Sequence, residues 1–141
     1  MTGRTSYDDL SVGDEAPVKS HRLTRTDFVR YAGASGDFNP MHHDETIATA
    51  AGMPSVFGHG MLSMGILATA VTDWTGAGTV RAMSVRFSKQ TWPGETVVTR
   101  VVVTAQREEA GRRLVDLECS LASTDGEVKV VGDATVDLGA P

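Results

Sequence analysis

Hydrophobic and polar positions change their spacing twice along the chain. After a short strand predicted over 17–23, residues 24 to about 76 carry apolar side chains at helical spacing. Four later segments instead alternate polar and apolar residues, as strands do. A first helix is predicted to start at Thr24, which forms a capping-box pattern with Asp27, and to end between Gly33 and Gly36.

Two more helices are predicted before the strands begin. A short helix covers 44–51 with Asp44 as its N-cap, and a longer one runs from just after Gly60 to 74–76. The longer helix is apolar around most of its circumference, so we expect it to be buried on nearly all sides.

The strands are predicted at 80–89, 96–108, 112–123 and 128–138. Short turns join them, which favours an antiparallel sheet. One long helix and a run of antiparallel strands indicate an α+β fold in which the sheet wraps around the helix. We expect residues 1–141 to form a single domain, with two copies pairing because one sheet covers such a helix poorly.

Composition narrows the function without identifying it. The formal net charge of −5 and the lack of a Lys/Arg cluster argue against nucleic acid or an anionic membrane as the main partner. Cys119 is the single cysteine, so an internal disulfide is excluded, and a buried thiol is expected. The start of the sequence does not resemble a signal peptide, and no apolar run approaches ~20 residues, so we expect a cytoplasmic protein.

The string Gly-Asp-Phe-Asn-Pro-Met-His at 36–42 carries the candidate chemistry. It sets a carboxylate, Asp37, and an imidazole, His42, five positions apart in a turn that Pro40 restrains. Both groups can move a proton near neutral pH, Asp37 if burial raises its pKa. Such a pair acting on one water suits reversible hydration, and either assignment of acid and base satisfies the spacing.

A second glycine-rich segment, Gly58-His59-Gly60-Met61, precedes the long helix. Glycine lets a ligand approach the backbone closely, and the free N–H groups of a helix start favour negative charge. The amide of Gly60 or its neighbour is therefore a candidate to hold a thioester carbonyl as it becomes enolate-like.

These strings resemble the hydratase-2 motif of the MaoC-like family. The motif positions are filled here by Tyr31, Ser35, Gly36, Asp37, Asn39, Pro40, His42 and Ala48, and the family's His-Gly-Met stands at 59–61. The likeness runs from about residue 9 to the C-terminus. It is strongest to the catalytic subunit of the branch that dehydrates (3R)-hydroxyacyl carrier proteins in mycolic-acid elongation.

The resemblance implies a hot-dog fold and a homodimer, or a heterodimer with a related subunit. It implies no cofactor and no metal, and as substrate an acyl thioester of coenzyme A or of acyl-carrier protein. It assigns Asp37 and His42 to catalysis, places Asn39, Gly60 and Met61 at the substrate and oxyanion site, and leaves His43 and His59 with local structural roles. Three basic residues are expected near a phosphopantetheine entrance: Arg81, Arg86 and Lys89.

Three other functions remain open at this point. An acyl thioesterase would release free thiol and leave the C2–C3 bond unchanged. A metal protein would gather His42, His43, Asp44 and His59, although adjacent histidines do not share a helix face. A non-catalytic acyl-binding subunit would show no activity in isolation.

Overall fold

The computed structural model describes residues 5–140, which contain three α-helices, two single 3-10 turns and five strands. In chain order the α-helices and strands are β1 (Ser20–Arg22), α1 (Arg25–Ser35), α2 (Glu45–Ala50), α3 (Gly60–Thr75), β2 (Val80–Phe87), β3 (Thr96–Glu109), β4 (Arg112–Ser123) and β5 (Val128–Asp137). Among the described residues, no helix has both the length and the apolar character needed to cross a bilayer.

The five strands form one antiparallel sheet in the order β1-β3-β4-β5-β2. Hairpins join β3 to β4 and β4 to β5, whereas β2 pairs with β5 at one edge. The predicted α+β arrangement is therefore confirmed. The first strand is shorter than predicted, because Pro17 lacks an N–H and the Lys19 N–H bonds to the Thr99 hydroxyl instead of a ladder carbonyl.

Local capping sets the ends of the first two helices. Thr24 and Asp27 form the predicted reciprocal capping box, and Asp44 accepts hydrogen bonds from the first turn of α2. The first helix continues past Gly33 and ends at Gly36, whose φ of +76° is left-handed backbone that glycine adopts without strain.

The long helix α3 packs one face against the sheet. Its buried residues are Ser63, Leu67, Ala70, Val71 and Thr75. On the other side Met61 is 54% exposed, and Gly65 and Thr69 also face solvent. The prediction of burial on nearly all sides is wrong for the single chain, because a five-stranded sheet covers only one side of a helix.

An irregular segment at 88–95, which we call the strap, links β2 to β3. The N–H of Ser88 donates to the carbonyl of Lys129 (2.8 Å), and the N–H of Leu23 donates to the carbonyl of Glu95 (2.8 Å). Between these ends, the carbonyl of Thr91 accepts the N–H of Gly58 (2.9 Å). The strap thus ties the sheet to the segment that leads into α3.

Candidate active site

Asp37 follows the left-handed residue that ends α1, and short-range bonds fix its place. The Ser35 hydroxyl donates to the carbonyl of Tyr31 (2.7 Å) and accepts the N–H of Asp37 (3.1 Å). A carboxylate oxygen of Asp37 then accepts the N–H of Asn39 (3.2 Å). The carboxylate itself remains exposed at the surface of the single chain.

His42 ends a single 3-10 turn over Pro40–His42. The side chain of Asn39 caps this turn by accepting the N–H of Met41 (3.1 Å). Only 9% of His42 is exposed, and its Nδ1 lies 2.7 Å from the carbonyl of Phe57. Because a carbonyl only accepts, Nδ1 must carry the proton, and in the neutral ring Nε2 is left with its lone pair. The atom of His42 that can exchange a proton is therefore Nε2.

His59 connects the two candidate residues. Its ring stacks on that of His42, with centroids 3.8 Å apart and planes 29° apart, and its Nε2 donates to the backbone carbonyl of Asp37 (3.0 Å). Burial lowers the pKa of His59, and the nearby His42 acts in the same direction. A neutral His59 with the proton on Nε2 satisfies this bond, while its buried Nδ1 has no hydrogen-bond partner among residues 5–140.

The structure brings together the two residues that the sequence singles out. One side-chain oxygen of Asp37 and one ring nitrogen each of His42 and His59 all lie within 4.8 Å of one another. A water molecule fits between groups at such a spacing. The sequence assigned His59 only a local role, and nothing in the spacing of residues signalled that it would stack on His42.

The same three residues are poorly arranged to bind a metal. The ring nitrogens of His42 and His59 that remain free have in-plane lone pairs on two nearly parallel stacked rings, which cannot both point at one ion. The other two residues of the metal hypothesis are engaged elsewhere: His43 bonds to the carbonyl of Phe38, and Asp44 caps α2. The geometry therefore favours proton transfer over coordination.

A cavity of about 250 Å³ lies at the start of α3, and its wall includes Phe57, whose carbonyl and ring both contact His42. It is lined by Phe57, Gly58, Gly60, Ser63, Phe87, Ser88, Lys89, Gln90, Thr91 and Val130. The N–H groups of Gly60 and Met61 belong to the first helical turn and have no acceptor among the described residues. Free amides at a helix start suit an oxygen that gains negative charge. No motif or spacing in the sequence indicated that Phe87 and the strap would form part of this wall.

The other predicted site residues are only partly gathered at the cavity. Lys89 lines the cavity, whereas Met61 does not line it and has an exposed side chain. Asn39 uses its side-chain oxygen to cap the turn before His42. Arg81 is not near the cavity entrance: it lies at the other end of β2, paired with the carboxylate of Asp137. Arg86 is exposed and does not line the cavity.

Fold and site together define a member of the MaoC-like domain family, and the chain belongs to this family, whose model matches residues 11–125. Among curated relatives, it is 30% identical to the (R)-specific enoyl-CoA hydratase of Rhodospirillum rubrum, over 95% of this chain and 92% of that protein. It is 36% identical to 3-hydroxyacyl-thioester dehydratase Y of Mycobacterium tuberculosis, over 78% of this chain but only 38% of that protein.

Solved structures agree with the family assignment. The unliganded R-hydratase PhaJ1 of Pseudomonas aeruginosa superposes with a TM-score of 0.85 at 25% identity, covering 96% of this chain and 85% of that one. A chain of the ChsH1–ChsH2 complex of M. tuberculosis gives a TM-score of 0.77 at 28% identity, covering 93% and 98%. The hot-dog fold implied by the sequence motifs is confirmed.

Proposed function

We propose that this chain catalyses the reversible hydration of trans-2-enoyl thioesters to (3R)-3-hydroxyacyl thioesters. The observation that carries the proposal is that a side-chain oxygen of Asp37 and a ring nitrogen of His42 lie within 4.8 Å of each other, while Phe57, which bonds to His42, lines a cavity at the start of α3. The names of the relatives, an enoyl-CoA hydratase and a hydroxyacyl-thioester dehydratase, point to the same hydro-lyase chemistry. The (3R) configuration follows from the (R)-specific relative.

In hydration, one water is held between the carboxylate of Asp37 and Nε2 of His42. Its oxygen bonds to C3 of the substrate, and the C2–C3 double bond becomes single. One residue of the pair takes the proton that the water loses, and the other supplies the proton that C2 gains. Dehydration runs through the same steps in reverse. Each hydration leaves one residue with an extra proton and the other without one, so a proton must pass back between them, through the next bound water, before the following turnover.

The thioester carbonyl needs stabilisation while the C2 carbanion forms. Its oxygen becomes enolate-like, and the amide of Gly60 at the start of α3 is oriented to donate to such an atom. The acyl chain and the pantetheine arm extend along the cavity walls from this point, past Phe87 and the strap. Lys89, exposed at the cavity, is placed to meet a phosphate of coenzyme A or of a carrier-protein arm.

A second hot-dog subunit, identical or related, completes the molecule in this proposal. Apolar side chains near the site are exposed in the single chain: Phe38 (62%), Met61 (54%), Phe87 (48%) and Ile47 (45%). One solved structure similar to this chain is a complex of two named components, ChsH1 and ChsH2. We also propose a cytoplasmic location, which suits a chain whose single cysteine is buried without a partner for a disulfide.

The test is an assay of the purified chain on crotonyl-CoA and longer enoyl-CoA thioesters, with chiral analysis of the product. Asp37→Asn and His42→Ala should each lower kcat by about 10²- to 10⁴-fold, because each removes one proton-transfer group. Circular dichroism should stay native, since Asp37 is exposed and the turn that contains His42 is held by backbone hydrogen bonds that His42→Ala leaves intact.

The double variant gives a second check on the mechanism. Because both groups act on one water, it should lose little more than the worse single variant. His43→Ala is the matched control, an exposed neighbour bonded only to the carbonyl of Phe38, and it should keep wild-type turnover. Near-wild-type hydration by a folded Asp37→Asn variant contradicts the proposal. Release of free thiol without loss of the enoyl absorbance indicates a thioesterase, and inactivity of the folded wild-type chain indicates a binding subunit.

A further inference from the structure

Lys129, on β5, has a fully buried side chain that the proposed chemistry does not use. Its ammonium donates to the carbonyl of Gln90 (3.0 Å), to Glu95 (3.0 Å) and to Glu127 (2.6 Å). An ammonium has three hydrogens, so all of them are satisfied. Burial alone would lower the pKa of Lys129, but the hydrogen bonds to Glu127 and Glu95 outweigh it and the pKa is raised. The side chain is therefore charged and held in place.

Two of the three acceptors belong to the strap. Gln90 lies near its middle and Glu95 at its end, and the backbone carbonyl of Lys129 also accepts the N–H of Ser88 at its start. The third acceptor, Glu127, lies two residues before Lys129 and is not part of the strap. Its bond to the ammonium therefore does not connect Lys129 to the strap. One residue of β5 thus anchors the strap at three points.

The strap in turn fixes the segment before α3. The carbonyl of Thr91 accepts the N–H of Gly58, and a Cβ on Gly58 would lie 2.3 Å from the hydroxyl of Thr91, so the backbone of Gly58 lies directly against both the backbone and the side chain of Thr91. The ring of Trp92 packs edge-on against Phe57, with centroids 6.0 Å apart. Phe57 is the residue whose carbonyl orients His42.

From these contacts we infer that Lys129 is a positioning residue that, through the strap and Gly58, sets the Gly60 amide in register with Asp37 and His42. The inference rests on the proposed function, because Gly60 is there the donor to the thioester carbonyl. Lys129 touches no reacting atom. Its effect arises because displacement of a catalytic group by about 1 Å can cost about 10²-fold in rate.

The main variant is Lys129→Met, which removes the ammonium and keeps a long unbranched side chain. The expected result is a 10- to 100-fold fall in kcat for crotonyl-CoA, by the order of magnitude of such a displacement, with KM changed less than about threefold. The backbone amide of Gly58, followed by hydrogen exchange in ¹⁵N-labelled protein, should exchange about tenfold faster or more, because its acceptor is no longer held.

Two isosteric substitutions separate positioning from a general effect on the buried charge. Glu95→Gln weakens the bond between Lys129 and the strap, whereas Glu127→Gln weakens a bond to the same ammonium that does not reach the strap. Both glutamates are partly exposed, with side-chain exposures of 25% and 47%, so both variants should fold. Glu95→Gln is expected to lower kcat and speed exchange at Gly58, and Glu127→Gln to change neither.

Two results overturn the inference: wild-type kcat in folded Lys129→Met and Glu95→Gln, or equal losses in Glu95→Gln and Glu127→Gln. If Lys129→Met does not fold, the comparison of Glu95→Gln with Glu127→Gln tests the inference. If the wild-type chain hydrates no enoyl thioester, the proposed function fails, and the exchange rates at Gly58 in the same variants then decide the role of Lys129 separately.

Discussion

Gly60 offers the sharpest separation between turnover and stability. It is the first residue of α3, and its φ lies outside the left-handed region, so an alanine there meets no backbone strain. A Cβ would lie 3.3 Å from two ring carbons of Phe87. Because that ring is 48% exposed, it can move by the few tenths of an ångström required. The fold therefore tolerates a side chain at this position, and the cavity does not.

The two effects differ in size. Replacing glycine in an unstrained helical position stabilises a protein by roughly 0.5–1 kcal/mol, and the contact with Phe87 offsets part of that, so the free energy of unfolding should change by less than about 1 kcal/mol. One oxyanion-hole donor is worth about 10²–10³ in kcat, or roughly 2.7–4 kcal/mol. We expect kcat of Gly60→Val to fall by nearly that factor. The fall in log kcat for Gly60→Ala should be smaller, at least roughly a tenth of that value, because one methyl group displaces the carbonyl less.

The assay follows the enoyl absorbance for kcat and urea unfolding for stability. Gly33→Ala is the control: it lies on the exposed side of another helix, α1, and a Cβ there meets nothing within 4 Å. It should keep full turnover and gain stability. Full turnover in Gly60→Val refutes the assignment of the oxyanion donor. So does a loss of activity that only tracks the fraction of unfolded protein.

Three further predictions concern the rest of the molecule. Burial lowers the pKa of His59, so the unfolded chain binds a proton at this residue more readily than the folded chain does. Tm should therefore fall as the pH drops below about 6.5, and His59→Gln should weaken this dependence. An unchanged slope of Tm against pH in the variant contradicts the prediction. Lys89→Glu should raise KM for enoyl-CoA roughly 3- to 10-fold and Arg81→Glu should not, and equal effects would exclude a specific phosphate contact. Sedimentation should give a dimer that Phe87→Glu weakens, and a monomeric wild-type chain would exclude the pairing.

The helices of this protein could be predicted closely because their ends are encoded by adjacent residues. Thr24 with Asp27, and Asp44 before α2, satisfy backbone N–H groups within three positions of themselves. The strands followed from alternation and turn sequences, with boundaries within two residues for β2 to β5. The chemistry of Asp37 and His42 was likewise local, since one turn restrained by Pro40 holds both.

The parts that could not be predicted depend on contacts between distant segments. The stacking of His59 on His42 requires two loops to meet, and no periodicity records such a meeting. Lys129 occupies a position that alternation marks as polar, yet it is buried, because the strap supplies acceptors 34 and 39 positions away. The sequence also could not reveal that one side of α3 is exposed in the single chain. An apolar helix has the same sequence pattern whether its own chain or a second subunit covers that side.

The arrangement of the two stacked rings has a consequence for proton transfer. Nδ1 of His42 donates to the carbonyl of Phe57, and Nε2 of His59 donates to the carbonyl of Asp37, so both rings are oriented by backbone carbonyls and not by ion pairs. Two imidazolium rings with centroids 3.8 Å apart would repel each other strongly in so buried a place. The lowered pKa of His59 disfavours this doubly charged state. In the proposed reaction, a proton that His42 gains therefore lies beside a ring that resists protonation.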